Sequence, residues 1–180
     1  MPEPAGAALV VAFVVGVTPG KWARVWAERM PRHPLTLLPT DDALSALDAG
    51  TAQVALTRLP VDTERFNAIP LYTEQPVVVA PKGHAIEALD TLTVEDLSGE
   101  TVLDGEWGPT IELVAANLGV TVVPQSVARA LSRRDVISRP LMDAPTTQVA
   151  LVWLIDGTTD LVDEFIGIVR GRTARSSRGR

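Results

Sequence analysis

The chain has 180 residues, 46% hydrophobic but only 4% aromatic, so the core of one large domain or two small lobes must be built from Val, Leu, Ile and Ala. It holds no cysteine and two histidines, His33 and His84, which excludes disulfides, thiolate metal sites, a cysteine nucleophile and a three-histidine metal centre in these residues. The net charge of −6 is uneven: Arg170, Arg172, Arg175, Arg178 and Arg180 crowd the last eleven positions, and setting those five apart leaves 11 basic against 22 acidic residues, a body of −11 and a tail of +5.

From the N-terminus, Ala5 to Val17 is apolar enough to resemble a secretion signal, but it has Glu3 rather than a basic flank and runs straight into Thr18-Pro19-Gly20. It is also too short to span a bilayer. A buried parallel strand over Leu9–Val17 fits better, and a cytoplasmic protein with no membrane contact is expected. Lys21 to Met30 carries Trp22, Val25, Trp26 and Arg29 at helical spacing, with Thr18 as the expected N-cap and Pro19 at the first helical position. Leu35–Leu38 is a short strand. Thr40 then opens a helix with Asp41 and Asp42 in its first turn and Gly50 at its end, and Gln53–Thr57 is a third strand. This β-α-β-α-β order predicts a parallel sheet with helices on its faces.

The rhythm breaks over Leu71–Pro81, where Val77-Val78-Val79-Ala80 forms a continuous apolar strand with no helix cleanly before it. A crossover into a second sheet explains that. Thr93-Val94-Glu95-Asp96 has the form of a capping box, Thr101–Leu103 reads as a strand and Thr110–Asn117 as a helix stopped by Gly119. Val120–Val123 is a strand, Ser126 caps a helix to about Arg133, Val149–Leu154 is another strand and Thr159–Arg170 a final amphipathic helix. The expected lobes are 7–76 with 151–170, and 77–150. Residues 171–180 are too poor in apolar surface to fold alone.

Catalytic motifs fail on inspection. Gly16-Val17-Thr18-Pro19-Gly20-Lys21-Trp22 is one residue short between the glycines of a phosphate loop and has Trp22 where Ser or Thr would hold magnesium. The pairs Asp41/Asp42 and Glu95/Asp96 lie in first helical turns, where they complement the helix dipole. His33 and His84 adjoin turn residues and read as solvated surface. With no nucleophile, base and orienting group together, neither an enzyme nor a metal or other cofactor is expected. What recurs is a strand end followed by a capped helix: Thr18, Thr40, Thr57-Arg58 and Gln125-Ser126 all lie just past predicted strands. In open α/β sheets that is where ligands, and anions in particular, bind. Thr18, Thr40 and Ser126 either cap helices only or also face a ligand. Arg58 follows the buried-looking Val54-Ala55-Leu56, and its fork of donors suits a carboxylate, unless an acid of the body takes it.

These residues resemble the effector-binding domain of LysR-type transcriptional regulators, from about Phe13 to Arg170. Four stretches carry the resemblance, in order: Val15-Gly16-Val17-Thr18-Pro19; Leu44 through Asp48-Ala49-Gly50 to Val54-Ala55-Leu56-Thr57-Arg58; Ile69 to Glu74 with Val77 to His84; and Val114 to Ala128. The resemblance implies an α/β, two-lobed type 2 periplasmic-binding-protein-like fold with mainly parallel sheets and a crossover hinge near Val77 and Val149. It also implies a small organic acid or amino-acid-like effector between the lobes, touching Thr18, Thr40, Thr57, Arg58, Pro124, Gln125 and Ser126. Two departures stand out. The family has a winged helix-turn-helix ahead of this domain, whereas this sequence starts almost at the first strand, so loss of the DNA-binding half is expected. Between Leu103 and Ile111 the family has several tens of residues, and here only Asp104 to Thr110 remain, which predicts a shortened second lobe with Trp107 either plugging it or packed within it.

The leading functional expectation is therefore a sensing module that binds a small anionic metabolite and acts in transcriptional regulation through a partner. The alternative is a ligand-free module for dimerisation or protein interaction. Family domains often pair through first-lobe helices, so a homodimer is expected, and exposure of Trp22 or Trp26 would mark that surface while burial of both would make them core. An acidic body repels nucleic acid, leaving only non-specific, salt-sensitive contact through the five arginines of the tail.

Overall fold

Val54-Ala55-Leu56 and Val149 to Val152 are continuous apolar runs, and each is buried at every position because its strand lies inside a sheet covered on both faces. The computed structural model describes residues 7–171. Five strands make the first sheet: β1 (Leu9–Phe13), β2 (Leu35–Pro39), β3 (Val54–Arg58), β4 (Phe66–Glu74) and β8 (Thr147–Leu154), in the order β2-β1-β3-β8-β4. β1 is parallel to both neighbours, with Val11 opposite Leu37 and Val54, while β8 runs antiparallel to β3 with Arg58 opposite Val149. Helices α1 (Gly20–Arg29), α2 (Ala43–Asp48) and α5 (Asp160–Val169) cover this sheet. Trp22 and Trp26 are both buried, at 7% and 1% exposure, which assigns them to the core and not to an exposed face of α1. Trp26 packs against Phe165 of α5 with ring centroids 5.9 Å apart, and its indole N–H donates to the carbonyl of His33 at 2.7 Å.

The second sheet is antiparallel, in the order β6-β5-β7, from β5 (Pro76–Pro81), β6 (Thr121–Pro124) and β7 (Val136–Pro140). Every residue of the central β5 is buried. Val78 and Ala80 share a cluster with Ile86, Leu92, Val120 and Leu141. Because side chains alternate along a strand, Val77 and Val79 face the other way, where α3 (Trp107–Ala115) and α4 (Gln125–Ala130) pack on β5. Proline sits at both ends of β5 and at the ends of its partners, where the missing N–H disturbs the ladder least.

The chain divides into two compact units, one of residues up to Leu71 together with those from Val149, the other from Tyr72 to Gln148. Both passages between them fall inside strands, β4 outward and β8 on return.

Several boundaries differ from the sequence expectation for local reasons. β1 ends at Phe13 because Val14–Val17 form a turn, closed by the Val17 N–H on the Val14 carbonyl at 3.2 Å, with Gly16 at φ 87. α3 begins at Trp107, three residues early, since Pro109 in a first turn lacks an N–H that has no helical partner anyway. It ends at Ala115, with Ala116 as its cap and Asn117 beyond it at the left-handed φ of 63, before Gly119 is reached. Thr101–Leu103 forms only a bridge, Val102 to Val120.

Candidate functional site

In the first unit the carboxyl ends of the three parallel strands lie side by side, since β2 and β3 flank β1. Thr40, directly after β2, donates its backbone N–H to the carbonyl of Phe13 at 3.0 Å, and Val14 donates to Leu56 at 3.2 Å. The loop after β1 is thus tied to both neighbouring strand ends. Arg58, half-buried at the end of β3, donates from both terminal nitrogens to the carbonyl oxygen of Val15 at 3.1 Å each. The structure therefore brings Arg58 onto the loop that carries Thr18, whose side chain is exposed. Thr57 is buried beside Ala150, and as neighbours on one strand Thr57 and Arg58 point to opposite faces.

Three expected caps are corrected. α1 starts at Gly20, and Pro19 before it already has helical φ and ψ and no side-chain cap, so Thr18 does not cap the helix. The cap of α2 is Asp42, whose carboxylate accepts from the Ser45 N–H at 3.0 Å, while the Thr40 hydroxyl accepts from the Asp42 N–H at 3.2 Å. Hydrogen bonds from the Ser45 hydroxyl and then its N–H hold the Asp42 carboxyl below the usual aspartate range. Ser126 lies inside α4 and not at its start, which follows the extended Pro124.

In the second unit Pro124 is buried, and the Gln125 N–H donates to the carbonyl of Gln75 at 2.9 Å. The Ser126 hydroxyl donates to Oε1 of Glu74, and the Thr147 hydroxyl donates to Oε2 of the same carboxylate at 2.8 Å. Glu74 is buried. Sequence reasoning gave neither Glu74 nor Thr147 a role. The available signal was an acid two residues before a continuous apolar strand and away from any helix start.

His84 is not simply solvated: its Nδ1 accepts from the Ile86 N–H at 3.4 Å, capping a short 3-10 turn, and its Nε2 lies 3.3 Å from Glu100. His33 places Nδ1 3.1 Å from the Ala7 carbonyl. Trp107 is half-buried and opens α3. A cavity of about 60 Å³ beside Val79, Ile111, Leu131 and Val136 is several times smaller than a metabolite site needs. Among the described residues no group of three or more His, Asp or Glu side chains is arranged to hold a metal, and no helix is long and apolar enough to cross a membrane. The arginines from Arg172 onward lie outside the described residues.

Comparison with known proteins fits this architecture. The chain resembles the BenM effector-binding domain solved with its effector benzoate, at a TM-score of 0.76 and 15% identity, covering 98% of this chain and 96% of that one. The reduced OxyR regulatory domain of Pseudomonas aeruginosa is similar at a TM-score of 0.70 and 20% identity, covering 94% and 97%. Both bear out the two-lobed periplasmic-binding-protein-like α/β fold. A probable hydrogen peroxide-inducible genes activator of Mycobacterium avium is 25% identical over 204 residues, 93% of this chain and 66% of that protein. That alignment is longer than the chain itself, so the relative holds segments with no counterpart here. The chain spans between a third and two thirds of the length of the curated relatives it matches. A family model, the LysR substrate binding domain, matches residues 19–110, just over half of the sequence. The chain belongs to the LysR substrate-binding domain family.

Proposed function

We propose that the chain is an effector-sensing module that binds a small anionic metabolite, an organic acid or amino-acid-like compound, and passes its bound state to a partner in transcriptional regulation. The observation that supports this most is the guanidinium of Arg58 at the carboxyl end of β3, fixed on the loop of Val15. A planar cationic donor at the ends of parallel strands suits a carboxylate. Thr18 and Thr40 supply hydroxyls from the two neighbouring strand ends, and Thr57, Pro124, Gln125 and Ser126 complete the proposed set. The shortened second lobe, a homodimer, cytoplasmic residence and non-specific nucleic-acid contact by the arginine-rich tail belong to the same proposal.

The names of the relatives concern hydrogen peroxide. A thiol response to peroxide needs cysteine, and this sequence has none, so a non-covalent effector is the better reading for these residues. A second reading, a ligand-free interaction module, draws support from Val102, Leu113 and Leu118 in the second unit, which are 50%, 44% and 57% exposed.

A thermal-shift panel of benzoate, succinate, amino acids and sugar phosphates, on the wild type and Arg58→Ala, tests the proposal. A ligand at about a hundred times its dissociation constant stabilises the folded state by about 2.7 kcal/mol. At roughly 2–4 °C per kcal/mol for a chain of this size, that is a shift of several degrees. A hit lost in Arg58→Ala supports the anion site. A hit retained by the variant moves the site elsewhere, and silence across the panel favours the interaction module.

A further inference from the structure

Glu74 is a buried acid that the proposed anion site leaves unexplained. It is the last residue of β4, and its two carboxylate oxygens are held by hydroxyls from two other elements: Ser126 in the first turn of α4 and Thr147 at the start of β8. β4 and β8 are the strands on which the chain leaves the first unit and returns to it. One side chain therefore joins α4 to both passages. Charge-assisted hydrogen bonds of this kind are the stronger class, and burial strengthens them further.

We propose that Glu74 is a positioning residue that couples the first turn of α4 to the two crossing strands, so that a change at Ser126 is felt at Thr147 and the reverse. Each hydroxyl has a single proton and spends it on Glu74. A ligand group that draws the Ser126 proton to itself takes a donor away from Glu74, and the hold on Thr147 changes with it. Coupling between the two is reciprocal by thermodynamic necessity. Its regulatory meaning rests on the effector reading above, but the coupling itself does not.

The test is amide hydrogen exchange on the full chain without ligand, comparing wild type, Ser126→Ala, Thr147→Val and Glu74→Gln. Ser126→Ala is expected to speed exchange about tenfold not only at residues 125–128 but also at 147–149, and Thr147→Val to speed it at 125–128. In the Glu74→Gln background these cross-effects shrink, because the shared acceptor pair is gone. A purely local role would confine each effect to its own segment, and that result overturns the proposal. Should Glu74→Gln fail to fold, the two hydroxyl variants decide alone. A silent ligand panel with cross-effects present removes the effector reading and leaves the coupling standing. Ligand binding without cross-effects does the opposite.

Discussion

Arg58 and Val15 are joined by two donors on one acceptor: both terminal nitrogens of the guanidinium lie 3.1 Å from the Val15 carbonyl oxygen. The contact fixes the loop after β1 against the end of β3, so Arg58 shapes the loop as well as offering charge. Lysine keeps the charge but not the fork. Arg58→Lys is therefore expected to lose about 1–2 kcal/mol in urea unfolding, in the range of a hydrogen bond to a charged group. Any carboxylate hit from the panel should weaken about tenfold in that variant, as expected when bidentate recognition is lost. Unchanged stability would show that the clamp contributes nothing to the fold.

Trp26 holds α1 to the sheet and to α5. It is 1% exposed, touches Phe165 and donates to the His33 carbonyl. Trp26→Ala should cost about 3–5 kcal/mol through the cavity it leaves. Trp26→Phe keeps most of the volume but removes the only N–H of the side chain, for about 1–3 kcal/mol. Urea unfolding followed by far-UV circular dichroism ranks the two, and a Trp26→Phe variant as stable as wild type would deny the hydrogen bond a role.

Asp42 makes the stability of α2 depend on pH. Its folded carboxyl binds a proton more weakly than in the unfolded chain, where the ordinary value is 3.8. The cap's contribution is thus fully present above that value and fades as pH falls below it through the folded-state titration. Asp42→Ala should cost about 1 kcal/mol at pH 7 and progressively less under acid conditions. Asp42→Asn retains an acceptor and should lose the pH dependence. An equal loss for Asp42→Ala at pH 7 and pH 2 would contradict the assignment.

Gly119 is needed for close approach in the second unit. A Cβ there would stand 2.3 Å from the Thr101 carbonyl oxygen, a backbone atom that cannot swing aside. Around it the Val120 N–H bonds to Thr101 and the Leu103 N–H bonds to Val120, at 2.9 and 2.7 Å. Gly119→Ala should destabilise by about 1–3 kcal/mol, as overpacking does. Exchange should quicken at residues 101–103 and 119–121 while β1 and β3 stay protected. A variant as stable as wild type would mean that the 101–103 segment moves away without cost.

Peroxide, which figures in the names of the relatives, offers a chemical test of the non-covalent reading. With no cysteine, the described residues most open to oxidation include Met142, 62% exposed. Millimolar hydrogen peroxide should add oxygen at Met142 by mass spectrometry, with no disulfide-linked dimer and little change in melting temperature. A large cooperative change would argue for a peroxide response built without thiols.

Much of this architecture is readable from the residues, because the central strands are continuous apolar runs and the final amphipathic helix lies where expected, with Thr159 capping α5 by accepting from the Val162 N–H at 3.3 Å. β7 escaped because an edge strand need not be apolar: Ser138-Arg139-Pro140 reads as loop, yet Arg139 folds back to donate to the carbonyls of Leu89 and Glu87 at 2.7 Å each. The sequence marks the polar residues after strands as site candidates but does not show their partners. Ser126 has the composition of a cap, and nothing nearby in sequence shows that its hydroxyl goes to Glu74, 52 positions away. Asp42 displaced Thr40 as a cap for a local reason: Thr40 is still tied to β1, so the chain turns two residues later.

The strand order has a bearing on how the molecule is made. β3 and β4 follow one another along the chain, yet β8 lies between them in the sheet. The ribosome delivers the second unit as one uninterrupted stretch, whereas the first lacks an inner strand until the C-terminal part emerges. Domains that are continuous in sequence fold as units during synthesis. A nascent chain halted at Gln148 should thus resist protease over residues 76–140 while β3 remains open to cleavage. That outcome would mean that the larger sheet closes last, around a strand inserted into its middle.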